Sequence, residues 1–150
     1  MTAILLALVI ITLYLYDFIK VYGIPPSISD TFYIETGLKF SITMISCAFL
    51  IAMGMCNLAP EWYMKLLSFS ASVGLGYVGT APYFKKYPKL HYIGAIVFML
   101  SMVIWSVIYS SCWILVIWLM FPILDKERRV FWIEIYTILT FVIGIIFGSI

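Results

Sequence analysis

The chain is short of charge. Of its 150 residues only 11% are Asp, Glu, Lys or Arg, against the roughly 25% that a soluble domain needs to face water. Seven acids and nine bases cannot solvate the exterior of a globule this size, so a water-soluble fold is disfavoured. The formal net charge of +2 excludes the strongly basic surface of a nucleic-acid binder. Histidine is nearly absent, His91 alone, and a zinc centre takes three or four ligands. The three cysteines, Cys47, Cys56 and Cys112, all sit in apolar runs without disulfide or metal spacing and read as small hydrophobes. No Ser/His/Asp triad, Cys/His pair, phosphate-binding glycine loop or paired-carboxylate motif can be assembled. A non-enzymatic chain with no metal and no cofactor is therefore expected.

What the chain has in abundance is apolar surface: 65% hydrophobic residues and a mean hydropathy of +1.12. Crossing the hydrocarbon core takes about 20 apolar residues in a helix. Runs of that length recur, at Ala3–Tyr22, Leu38–Leu58, Leu66–Phe84 and Val130–Ile150. Prolines at Pro25, Pro26 and Pro60 and the segment 85–89 punctuate them. Met1–Tyr16 lacks the basic n-region and cleavage site of a signal peptide and reads as a retained first span. Leu90–Leu124 is long enough for two short spans, with Ser110–Ser111 as its only polar break. Trp105, Tyr109 and Trp113 flank that break like an aromatic boundary belt. The expected fold is an all-α membrane protein, a single polytopic domain over residues 1–150, built as a bundle of six transmembrane helices, with five as the alternative.

Charge asymmetry favours six. With six spans, the loops around residues 20–39, 85–89 and 125–129 share one face and carry Lys20, Lys39, Lys85, Lys86, Lys89, Lys126, Arg128 and Arg129, while Lys65 stands alone opposite. Five spans would divide the bases nearly evenly. The positive-inside rule then places the basic loops in the cytoplasm and both termini outside.

Several residues are candidates for a role. Ser29 and Asp30, in the Pro25–Thr31 loop, offer oxygens that read either as caps of a short interfacial helix holding Tyr33 and Glu35, or as anchors for a headgroup, ion or partner. His91 opens the fourth span on the face expected to hold Asp30, so an Asp30–His91 pair, within hydrogen-bond or one-water distance and able to titrate near neutrality, is the candidate polar site. Asp17 and Glu134 lie within spans, where an ionisable group faces the bundle interior or a partner; Asp17 has Lys20 one turn away. Ser68, Ser72, Gly76 and Thr80 recur every four residues, and Gly144 and Gly148 make a GxxxG. Both read as close helix packing, within one chain or between copies.

Two of these segments carry a resemblance. Pro25-Pro26-Ser27-Ile28-Ser29-Asp30-Thr31 resembles the Pro-x-Ile-Ser-Asp-Thr loop of the damage-regulated autophagy modulator (DRAM/Frag/Sfk) family. Leu90-His91-Tyr92-Ile93-Gly94-Ala95 is similar to that family's His-x-x-Gly-Ala signature. Together they cover about a tenth of the chain. The resemblance implies six spans and a link to lipid handling or membrane trafficking, and it singles out Asp30 and His91. It departs in chain length and in orientation, since members of that family usually start on the cytosolic side. The general character also resembles small membrane proteins of bacteria and their phages. Three functions follow as expectations. The first is a lipid-interacting or partner-modulating bundle whose basic face attracts anionic headgroups. The second is a homo-oligomeric pore or membrane effector in phage–host conflict, and the third a membrane lipid hydrolase.

Overall fold

The computed structural model describes residues 1–34, 37–80, 88–111 and 128–148. Among them every regular element is helical. Helix α1 runs Thr2–Tyr22 and stops at Gly23, whose φ of 79° suits glycine and whose N–H still reaches Ile19 O at 2.9 Å. Pro25 and Pro26 lack the N–H groups needed to resume the ladder. A 3-10 turn, Ile28–Asp30, and the four-residue α2, Thr31–Ile34, carry the chain to α3, Gly37–Leu58. Pro60 closes that helix; α4 follows at Trp62–Thr80, so the expected connection through Lys65 is shortened to three residues, 59–61. Helix α5, Pro88–Ser110, begins on a proline, whose missing N–H costs nothing in a first turn. It ends where Ser111 turns left-handed at φ 54°. Helix α6 is Arg129–Gly148.

Small residues set the packing, and the contacts fix directions. Helices α1 and α3 are antiparallel: Ile4 lies against Gly54, and Cys47 Sγ donates to Ala7 O at 3.5 Å. Helices α3 and α4 are antiparallel, Ser41 bonding Gly79 O at 2.6 Å and Ser72 bonding Ala48 O at 2.7 Å. So are α4 and α5, where a Cβ on Gly74 would stand 2.7 Å from both Gly94 O and Phe98 N. Helices α5 and α6 are parallel instead. Trp105 meets Phe141 with ring centroids 5.7 Å apart, Ser106 lies under Gly144, and Tyr109 under Gly148.

One end of the bundle therefore gathers the end of α1, the Gly23–Ile34 segment, the start of α3, the end of α4 and the starts of α5 and α6. Among the described residues that end bears Lys20, Lys39, Lys89, Arg128 and Arg129, and the other bears Lys65. Lys85, Lys86 and Lys126 lie outside the described residues, as do Glu35, Cys112, Trp113 and the expected fifth span.

Polarity is distributed as a bilayer requires. Leu5, Leu13, Phe49, Phe69, Leu100 and Ile146 are exposed, while Ser68, Ser106 and Thr137 are buried. Those buried hydroxyls bond carbonyls four residues back at 2.7–2.9 Å, so they carry no unmet donor into the interior. Helices α1, α3, α6 and the Lys89–Ser110 portion of α5 are long and apolar enough to cross a membrane. The chain is a multi-pass membrane protein by that measure. In α4, 19 residues long, serine and glycine dilute the apolar character, and it serves as the close-packed partner of α3 and α5.

Two sequence readings are corrected here. Gly76 was expected in a helix contact, yet a Cβ there meets nothing within 4 Å; Gly74 and Gly79, two and three positions away, make the close approaches. A period of four drifts across a helix of 3.6 residues per turn, so the stripe that begins inward at Ser68 has rotated outward by Gly76. Trp105, read as a boundary aromatic, is wholly buried and stacks on Tyr109 at 4.7 Å.

Candidate functional site

One cluster of polar side chains gathers at the Gly23–Ile34 segment. Ser27 caps the 3-10 turn: its Oγ accepts from Asp30 N at 3.2 Å and donates to Asp30 Oδ2 at 2.8 Å, with Ser29 Oγ 3.0 Å away. The expected capping role thus falls to Ser27, and Asp30 is its partner. The Ser27-x-x-Asp30 spacing is that of a capping box, a signal present in the sequence and passed over there. Thr31, fully buried, donates to Ile28 O at 2.6 Å and accepts from the buried Tyr14 hydroxyl at 2.7 Å. Lys39 stands over the Tyr14 ring, 5.8 Å from its centroid. Tyr14 gave no signal of its own in a run of apolar residues.

Two bonds reach across to α6. Ile28 N donates to Glu134 Oε2 at 2.6 Å, and Phe131 N donates to Pro26 O at 3.0 Å. The first turn of a helix has N–H groups without intrahelical acceptors, and the Pro26 carbonyl takes up one of them. The Ile28 amide is the mirror case, a 3-10 N-terminal donor taken up by a carboxylate. Glu134 is half-buried on α6 and holds the Ile28 amide. Asp17 is exposed on α1, and no ion pair with Lys20 forms among the described residues.

His91 and Asp30 come together at the same end of the bundle, near enough for the carboxylate to act electrostatically on the imidazole. No direct hydrogen bond joins the two side chains. Asp30 Oδ2 accepts from Ser27, while the buried Nδ1 of His91 has no hydrogen-bond partner. Glu134 feels the same Asp30 charge. Asp30 is the shared neighbour of two ionisable groups that do not touch each other. Among the described residues no group of His, Cys, Asp and Glu is arranged to hold a metal ion.

Below these groups two voids lie along the bundle axis. The upper, about 30 Å³, is walled by Ser29, Glu134 and Ile28 at its polar end and by Met44, Val78 and Ala95 further in. The lower, about 20 Å³, is apolar, between Ala7, Cys47, Met102 and Phe141. Both touch Ile11, Leu75, Phe98 and Ile138, which form the waist between them. The remaining packing candidates lie on helix faces: Ser68 and Ser72 against α3 or their own helix, Gly144 and Gly148 against α5.

Compared with known proteins, the chain matches no family model, no curated protein and no solved structure at a significant level.

Proposed function

We propose that the chain is a six-span, non-enzymatic membrane protein that organises anionic lipid around its basic end, with that end in the cytoplasm and both termini outside. The observation that carries this reading is the one-sided placement of Lys20, Lys39, Lys89, Arg128 and Arg129 against Lys65. Each base near an anionic surface is worth about 1 kcal/mol, so five on one end give a preference that one cannot.

The parallel packing of α5 and α6 supports the sixth crossing. Helix α5 has 23 residues and is about 35 Å long, and the chain must recover that distance between Ser111 and Arg128 before α6 starts in the same direction. The two segments resembling DRAM-like proteins also lie at the same basic end, near enough for the Asp30 carboxylate to act on the His91 imidazole.

The test is lipid selection. Reconstituted in nanodiscs of mixed phosphatidylglycerol and phosphatidylcholine, the protein should retain phosphatidylglycerol preferentially when released for native mass measurement. The triple variant Lys89→Gln, Arg128→Gln, Arg129→Gln should lose the enrichment. Equal retention of both lipids by the unmodified protein rejects the reading.

A further inference from the structure

We propose that the Gly23–Ile34 segment is a proton-operated strap, held against α6 while Glu134 carries a proton and released when that proton is lost. Among the described residues two hydrogen bonds make the hold, Ile28 N to Glu134 Oε2 at 2.6 Å and Phe131 N to Pro26 O at 3.0 Å. Pro26 and Ile28 are two residues apart, so the strap is pinned to α6 along one short stretch.

The turn that brings the Ile28 amide to Glu134 brings a like charge with it. Asp30 belongs to the same 3-10 turn and acts electrostatically on Glu134. Its carboxylate is fixed there: Oδ2 accepts from Ser27 Oγ at 2.8 Å, and its own N–H donates to that oxygen at 3.2 Å. An ionised Glu134 in the held strap therefore faces a second carboxylate, with the Ile28 amide as its one donor among the described residues. The side chains nearby include Ile11, Val78, Phe98 and Ile138, which solvate no charge. A neutral Glu134 meets neither cost and still accepts from the amide through its carbonyl oxygen.

The other charged groups among the described residues leave that balance in place. From α5, His91 feels Asp30, and a proton on its ring attracts Asp30, which works in the same sense. From α3, Lys39 stands over the Tyr14 ring, and the Tyr14 hydroxyl of α1 is taken up by Thr31. Asp17, Lys20, Lys89, Arg128 and Arg129 are exposed, and the charged residue of α4, Lys65, lies at the opposite end. Release hydrates Glu134 and separates it from Asp30, so the released strap tolerates the charge. The held state binds the additional proton, and raising the pH favours release, by at most about tenfold per pH unit for one proton.

The experiment follows amide hydrogen exchange of the full chain in phosphatidylcholine nanodiscs from about pH 5 to about pH 9, a range that brackets ordinary imidazole titration. Each rate is divided by the intrinsic rate at the same pH, which leaves the protection. Protection at Ile28 and Phe131 should fall about tenfold or more as the pH rises, while that of Ala48 in α3 stays constant. Glu134→Gln, neutral at every pH, should keep both amides protected throughout. Asp30→Asn, which removes the like charge, should shrink the fall. Protection at Ala48 shows whether each variant is folded, and one folded variant suffices. Constant protection at Ile28 and Phe131 in the unmodified protein overturns the proposal, and so does an equal fall at Ala48, which is unfolding of the bundle. A fall that persists unchanged in Glu134→Gln or in Asp30→Asn overturns it as well.

Discussion

The amide of Ile28 and the carboxylate of Glu134, 106 residues apart in sequence, meet at 2.6 Å and join the segment after the first helix to the last helix. Ile28 O, on the same residue, accepts from Thr31, which in turn accepts from Tyr14 of α1. A single turn of 3-10 helix thus links the first and last spans through one peptide unit at each side, and the upper void lies beneath it.

The direction of α6 relative to α5 gives the first prediction. In a background with Cys47, Cys56 and Cys112 replaced, single cysteines at Lys89 and Arg129 should react with an impermeant maleimide from one side of sealed vesicles. Cysteines at Trp62 and Ser111 should react from the other. Labelling of Lys89 and Arg129 from opposite sides would reduce the chain to an odd number of crossings.

Helix packing gives the second. A side chain on Gly74 would enter the backbone of α5 at Gly94 and Phe98, which cannot yield as a flexible side chain can. Gly74→Ala should destabilise the bundle by about 1–3 kcal/mol, the usual cost of overpacking. Gly76→Ala, facing open space, should change the midpoint of unfolding in mild detergent little or raise it through helix propensity. Equal losses at both positions would show that the α4–α5 contact is wrong.

These glycines mark what the sequence could and could not disclose. Helix ends were legible wherever local chemistry decides them: Gly23 before two prolines, Pro60 after α3, the Ser110–Ser111 break that ends α5. Among the described residues the bases Lys20, Lys39, Lys89, Arg128 and Arg129 lie at one end of the bundle. Rotation of each helix about its axis was not legible. Gly76 and Gly74 differ by 200° around α4, and in lipid both the inward and the outward faces are apolar, so periodicity carries little contrast. For the same reason Trp105 read as a boundary residue although it is wholly buried. Asp30 and His91 lie at one end of the bundle, and the hydrogen bonds of Asp30 go to its own turn. A serine three residues upstream was a nearer donor than a histidine on another helix.

The Tyr14–Thr31 bond gives the third prediction. Both groups are buried, and Tyr14→Phe removes the donor while leaving Thr31 its bond to Ile28 O. A loss of about 1 kcal/mol is expected, the usual net worth of one hydrogen bond. Thr31→Val removes both the acceptor of the Tyr14 hydroxyl and the donor to Ile28 O, two bonds where Tyr14→Phe removes one, so it should cost more than Tyr14→Phe. A double variant that costs less than the sum of the two would measure their coupling. Strict additivity would mean that the hydroxyls do not interact.

The last prediction separates the latch from the charge at Glu134. Glu134→Ala deletes the acceptor of the Ile28 amide, and a buried donor left without a partner costs about 1–3 kcal/mol. Glu134→Gln retains a side-chain oxygen at the same reach. Hydrogen exchange at the Ile28 amide reads the bond directly: protection should fall by about tenfold to a hundredfold in Glu134→Ala and stay near the unmodified level in Glu134→Gln. The Phe131 amide, which bonds Pro26 O two residues from Ile28, should lose protection along with it if the segment lifts as a unit. Should Ile28 exchange quickly and Phe131 stay protected, the loss is confined to one peptide group and the 3-10 turn is held by its capping bonds alone. Fast exchange of Ile28 in the unmodified protein at low pH would mean that the Glu134 contact does not hold the segment to α6, and the void beneath would then lack its roof.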